Sequence, residues 1–256
     1  MGRLYAAAGG TRPIAFTDQL PLTFHGAAAV PNISLANVGR PIDERQAKLI
    51  EGMYQGQPLQ AAISQGFAVR DQVYREISAE MVAANRGAVS TKGFELQARH
   101  IGTLMRADYN LAFVDIGGWD SHVNQGAATG YLPDLLGELG RGLAAFADQL
   151  GPAAWNDTVV VVVSEFGRTF RENGNKGTDH GHGSTYWVMG GQVRGGRLAG
   201  PQAPVTEAAL NEKRDWPVLT DYRALLGGLA GRLYGLTPAR LAAVFPGATP
   251  ADLQLV

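Results

Sequence analysis

Thr158-Val159-Val160-Val161-Val162-Val163 is an unbroken run of β-branched residues. Five consecutive valines without polar alternation predict a strand covered on both faces, as in a parallel sheet flanked by helices. Tyr109 to Ile116 reads as a second buried strand, stopped by Gly117-Gly118. Between the two, Leu132, Leu135, Leu136, Leu139, Leu143, Phe146 and Leu150 recur on one helical face. Pro133 sits in the first turn of that helix, and Gly151-Pro152 ends it. Residues 109–163 are therefore expected to form a β-α-β unit with a right-handed crossover. Upstream, residues 1–42 are Gly- and Pro-rich without helical period and read as irregular, with a short strand near Leu20–Phe24. Two helices are expected between Ile42 and Ala88, separated at Gly56-Gln57-Pro58. Ile50, Met53 and Tyr54 form the apolar patch of one; Val73, Ile77, Met81 and Val82 form that of the other. A third helix runs from Phe94 to Met105 and stops at Arg106-Ala107-Asp108. Downstream come a strand over Ser184–Met189, an irregular stretch over 193–216, a helix over Asp221–Tyr234 and a short helix over Pro238–Val244. Thr220 or Asp221 caps the longer of these helices and Gly235 stops it. The expected organisation is one domain over 1–256: an irregular segment 1–42, a helical segment 43–107 and an α/β core 108–256.

Composition narrows the chemistry. A net charge of -1 gives no reason to expect nucleic acid or an anionic membrane as partner. No apolar run approaches the roughly 18 residues of a membrane span. The N-terminal ten residues are too weakly patterned for a signal peptide, so as written the chain reads as cytoplasmic. The chain has no cysteine, which excludes disulfides and thiolate metal sites. Any metal must be held by His, Asp, Glu or backbone oxygens, a ligand set that suits Zn, Mn, Mg or Ca.

Three clusters offer such ligands. Gly117-Gly118-Trp119-Asp120-Ser121-His122 follows the first strand, Glu165 follows the valine strand, and Asp179-His180-Gly181-His182 lies further on. If the two strands are neighbours in one parallel sheet, all three clusters open on its carboxyl edge, where α/β sheets bind ligands. Each has a plainer reading. Asp120 and His122 fit a turn before a helix, and Glu165 fits a carboxylate paired with Arg168 or Arg171. Two histidines one residue apart in a glycine-framed loop, with an aspartate beside them, read more readily as a ligand site. Arg168 fits an anion clamp or a structural ion pair. Asn124 fits a substrate-orienting amide or a turn. His100 lies on a helix as a surface or packed residue, and His25 falls in a loop.

Gly117 to Gln125, Ser164-Glu165-Phe166-Gly167-Arg168-Thr169, Gly177 to Gly183 and Met189 to Gly196 together resemble the domain-of-unknown-function 1501 family. The likeness runs over about residues 20–250. That family looks like a branch of the alkaline phosphatase superfamily, with its phosphatases, phosphodiesterases and sulfatases. The resemblance implies a three-layer α/β/α sandwich with a mostly parallel sheet and a metal site at the carboxyl edge. Asp120 and His122 then look like one metal site's Asp/His pair, and His180 or His182 like its later histidine. Glu165 stands where the superfamily has Asp followed by His, but Phe166 cannot ligate, which leaves one ion or two unequally held. The region carrying the superfamily's nucleophile has no counterpart in this sequence, so an N-terminally truncated version is expected. The chemistry implied is hydrolysis of phosphate esters by metal-activated water. Diesters or triesters are favoured over monoesters, with Zn or Mn as the ion. Glu165 or Asp179 would act as base, and Arg168 would neutralise charge. A sulfatase or other ester hydrolase on the same site, and a metal-binding remnant without turnover, are the alternatives. Family members usually carry a twin-arginine export signal, and an exposed strand edge leads us to expect a homo-oligomer.

Overall fold

A computed structural model describes residues 2–24, 30–35, 43–84 and 93–256, with side chains omitted over 76–84. His25, Ile77, Met81 and Val82 therefore lie outside the described positions or side chains. The protein is mixed α/β and divides into two compact units.

The first unit comprises Met1–Ala6, Gly10–Ile116 and Arg141–Leu150. Its opening segment is more regular than its glycines and prolines suggest. Helix α1 spans Gly2–Ala7 and strand β1 spans Pro13–Phe16. Pro13 opens the strand, where its missing N–H does least harm to the ladder, and all four residues of β1 are buried. The expected strand near Leu20–Phe24 is instead a single 3-10 turn, Leu22–Phe24. Helices α2 (Glu44–Met53), α3 (Gln60–Ala84) and α4 (Phe94–Ala107) fall where periodicity places them. Strand β2, Leu111–Val114, pairs in parallel with β1, Pro13 opposite Leu111 and Phe16 opposite Val114. On its other edge β1 bonds the chain near Asn32: Ala15 N donates to Pro31 O, and Ile33 N donates to Ala15 O. Ile14, Phe16, Ile33, Val73, Ile101, Leu104 and Tyr109 form the core, with Phe94 and Phe146 packed on it. His100 is buried on α4.

The second unit comprises Ala7–Gly9, Gly117–Gly140 and Gly151–Val256. Helix α5, Tyr131–Asn156, is interrupted at Gly151, whose φ of 74° and ψ of 167° are non-helical. The expected stop at Gly151-Pro152 is thus a break after which the helix restarts, Pro152 occupying a first turn. The valine strand β3 is short, Val160–Val162. Two expectations for it fail. Its partner is not β2 but the Trp187–Met189 strand, in antiparallel register with Val160 opposite Met189, so 109–163 is not a β-α-β unit of one sheet. Nor is it covered on both faces: its residues are half-buried and Val163 is 51% exposed. Valine favours extended backbone whether or not both faces are covered. Two-residue strands β4, Gly167–Arg168, and β5, His180–Gly181, pair antiparallel, and Trp187–Met189 is β6. Among the described residues the one parallel pair is β1–β2, so a mostly parallel sheet is not what the strands form. Residues 193–216 lack helix and strand apart from an Asn211–Asp215 bridge. Helices α6 (Tyr222–Tyr234) and α7 (Pro238–Val244) match the sequence reading. Asp221 caps α6 by accepting from Arg223 N at 2.8 Å, and Gly235 ends it at φ 59°. Leu225, Leu229 and Leu255 form the core with Val161, Val188 and Tyr186. No helix among the described residues is long and apolar enough to cross a membrane.

Candidate metal centre

The centre is built on two loops and one two-residue ladder of the second unit. Residues 121–125 are stitched to 173–178. Asn124 N donates to Asn175 O at 3.0 Å, Gln125 N to Lys176 O at 2.8 Å and Thr178 N to Ser121 O at 3.3 Å. Side chains reinforce the seam, since Ser121 Oγ and Thr178 Oγ1 both donate to Gln125 Oε1, at 2.8 and 2.7 Å. Gly177 is needed here, because a Cβ on it would overlap the His122 carbonyl. The β4–β5 ladder then sets Arg168 directly opposite His180.

These constraints bring Asp120, His122 and His180 together. Asp120 Oδ1 lies 2.7 Å from His180 Nε2 and 2.9 Å from His122 Nε2. One ligand atom from each of the three residues lies within 4.8 Å of the others, a group able to hold a metal ion. One carboxylate oxygen and two imidazole nitrogens suit a borderline divalent cation such as zinc, and three protein ligands leave coordination positions open. Arg168 Nη1 donates to the same Asp120 oxygen at 2.9 Å. The guanidinium is itself anchored: Nε donates to Thr178 Oγ1 at 2.9 Å and Nη2 to the Thr178 carbonyl. The hydrogen bond from His180, with help from Arg168 and the imidazoles, holds the Asp120 carboxyl below its ordinary range.

The other candidates fall around this group. Asp179 Oδ1 lies 3.5 Å from His122 Nδ1, the nitrogen facing away from Asp120. It accepts from Asn173 Nδ2 at 3.0 Å, the main reason its carboxyl stands below the usual range. His182 does not join the three. Its Nδ1 meets Asp215 Oδ2 at 2.9 Å and Asn211 Nδ2 at 3.0 Å, and its backbone N–H donates to the same Asp215 oxygen at 2.6 Å. Burial pushes the Asp215 carboxyl up, but His182 and Arg214 outweigh it and leave it below the ordinary range. Glu165 is exposed and outside the group. It lies near Tyr186, whose phenol is pushed up first by burial and then by the charges of Tyr222, Asp221 and Glu165. Asn124 is exposed in a left-handed turn, φ 48°.

Three participants were not singled out from sequence as part of this site. Phe166 stacks on His180 with ring centroids 4.3 Å apart and planes 13° apart. Asn173 and Asp215 hold loop and histidine by hydrogen bonds alone, and nothing in residue type or spacing distinguishes such an Asn or Asp from a turn former. A family model described as protein of unknown function (DUF1501) matches residues 3–245. No curated protein and no solved structure matches the chain.

Proposed function

The chain belongs to the DUF1501 family, and we propose that it is a metal-dependent hydrolase of phosphate esters, acting on diesters or triesters in preference to monoesters. The observation that carries the reading is the convergence of Asp120 Oδ1, His122 Nε2 and His180 Nε2, with Arg168 fixed on the same carboxylate. A divalent cation, Zn or Mn by donor chemistry, would supply Lewis-acid polarisation and lower the pKa of a water there. Asp120, His122 and His180 would hold it. Arg168 has five N–H donors; its contacts to Asp120 and Thr178 leave two to meet an oxyanion. Its side chain is only 21% exposed, so its orientation is set before substrate arrives. The hydroxyls of Ser121 and Thr178 both donate to Gln125 Oε1, so this reading assigns neither as a nucleophile and on that ground prefers diesters and triesters. The same reading takes the chain as a branch of the alkaline phosphatase superfamily with its α/β/α sandwich, of which the parallel β1–β2 pair with flanking helices is the compatible part.

One observation favours a second reading. One Asp120 oxygen accepts from Arg168 at 2.9 Å and lies 2.7 Å from His180 Nε2 and 2.9 Å from His122 Nε2. A network satisfied in this way would also suit a chain that binds metal, or only pairs its charges, without turnover. Metal analysis of the purified full chain, followed by a screen of aryl phosphate mono-, di- and triesters and aryl sulfates, separates the two. Turnover abolished by chelator and restored by Zn or Mn supports the hydrolase. Preferential turnover of aryl sulfates moves the substrate class to sulfate esters. Bound metal with no turnover on any ester supports the second reading, and a chain that takes up no metal removes the centre altogether.

A further inference from the structure

We infer that Asp179, held by Asn173, is a positioning residue that orients His122 and reserves its Nε2 for the cation. The consequence for metal binding rests on the proposed function above; the contact itself does not. His122 faces a carboxylate through each ring nitrogen, Asp120 at 2.9 Å from Nε2 and Asp179 at 3.5 Å from Nδ1. The two nitrogens point away from each other across the ring. Metal–ligand bonds are only about 2 Å long, so a group lying against Nδ1 is on the far side of the imidazole from an ion on Nε2. Asp179 is thus poorly placed to ligate that ion or to take a proton beside it. It is well placed to accept from Nδ1–H. A neutral imidazole carries one proton, and the hydrogen bond made by one nitrogen decides which other nitrogen is free to bind metal.

A carboxylate 55% exposed holds an orientation only if something fixes it. Asn173 does so from both ends. Its Nδ2 donates to Asp179 Oδ1 at 3.0 Å and to the His122 carbonyl at 3.1 Å, so one amide spans the orienting group and the backbone it orients. Its Oδ1 accepts from Asn175 N at 2.9 Å and Gly177 N at 3.1 Å, closing the loop beneath. The other imidazole is positioned differently, by the stack of Phe166 on His180. Loss of Asp179 should therefore act through His122 alone.

The test uses the full chain titrated with zinc against a competing chelator. Asp179→Ala should bind zinc about 10- to 100-fold more weakly, the usual cost of removing a group that orients a metal-bound histidine, while the melting temperature of the metal-free chain stays unchanged. Asp179→Asn, whose amide oxygen still accepts from Nδ1–H, should recover most of that affinity, and Asn173→Ala should fall between. Wild-type zinc affinity in Asp179→Ala overturns the positioning role and leaves the metal reading intact. Equal losses in the alanine and asparagine variants, or an affinity loss matched by a lower metal-free melting temperature, also overturn it. If the unmodified chain binds no zinc, the metal reading falls, and imidazole 15N shifts of His122 in the metal-free chain decide the contact. A shift change in Asp179→Ala upholds it, and unchanged shifts overturn it.

Discussion

Asp120 is the residue on which the site turns, since one of its oxygens meets Arg168, His122 and His180 at once. Replacing it by alanine removes a ligand and leaves a guanidinium and two imidazoles facing each other, so Asp120→Ala should lose bound metal and at least two orders of magnitude of any hydrolytic activity. His180→Ala should do the same, and wild-type rates in either would exclude this centre. Glu165 offers the contrast. It is exposed and outside the group, so Glu165→Gln should keep the wild-type metal content by elemental analysis; a chain stripped of metal would return Glu165 to the ligands. Asp215 matters for stability. Its side chain is 3% exposed and its carboxyl lies below the ordinary range. A carboxyl depressed in the folded state contributes stability in full above its unfolded value of about 3.9 and loses it as pH falls through the native value. Asp215→Asn should therefore cost about 1–3 kcal/mol near neutral pH, with the deficit narrowing below about pH 4. Melting curves of the metal-free chains from pH 7 to 3 check this, and a deficit that stays constant to pH 3 would contradict it. The sequence showed the ligand types at 120, 122 and 180 because His and Asp in glycine-framed loops are chemically conspicuous. It left His180 and His182 undistinguished, because the choice between them is made by Asp215, thirty-three positions downstream of His182 and invisible to spacing.

Elements differ in how much of their cause is local. Helix α6 is specified within its own length: Asp221 caps its start, Gly235 turns left-handed at its end, and Leu225 and Leu229 face the core. Asp221→Ala removes both the cap and the ion pair to Arg223, and should cost about 1 kcal/mol by chemical denaturation. Leu229→Ala, which empties a buried position, should cost about 2–5 kcal/mol. Wild-type midpoints in both would mean that α6 adds little to the stability of its unit. Strands β1, β4 and β5 are the opposite case. Four or two residues long, they carry too little pattern to read, and each exists because a distant partner bonds it: Leu111–Val114 for β1, and the two short strands for each other. The valine run misled for a related reason. β-branched residues declare extended backbone, but which strand pairs with it and what covers it are decided by β6 and α6, not by the valines.

At the scale of the molecule, the chain holds two compact units, each with its own apolar cluster, and every residue of the candidate centre belongs to the second. A ligand that binds only the folded form stabilises what it binds by RT ln(1 + [L]/Kd), about 2.7 kcal/mol at a hundred times Kd. Zinc should therefore act on the second unit, where Asp120, His122 and His180 reside, and leave the first unit's own stability unaltered. For a unit of this size that shift is on the order of 10 °C in melting temperature. Calorimetry of the full chain with chelator and with excess zinc is expected to show one component moving upward and one staying in place. Probes separate them without dissecting the chain, since Trp119, Trp155, Trp187 and Trp216 all lie in the second unit and Val73 and Leu104 lie in the first. Tryptophan fluorescence should follow the zinc-dependent component, and hydrogen exchange at Val73 and Leu104 should follow the other. A single transition that shifts as a whole would mean that the units unfold together and that metal at one loop cluster stabilises all of the chain. No shift at all, in a chain shown by analysis to contain zinc, would mean that the ion binds the unfolded chain as well as the folded one, which a site assembled from positions sixty residues apart should not permit.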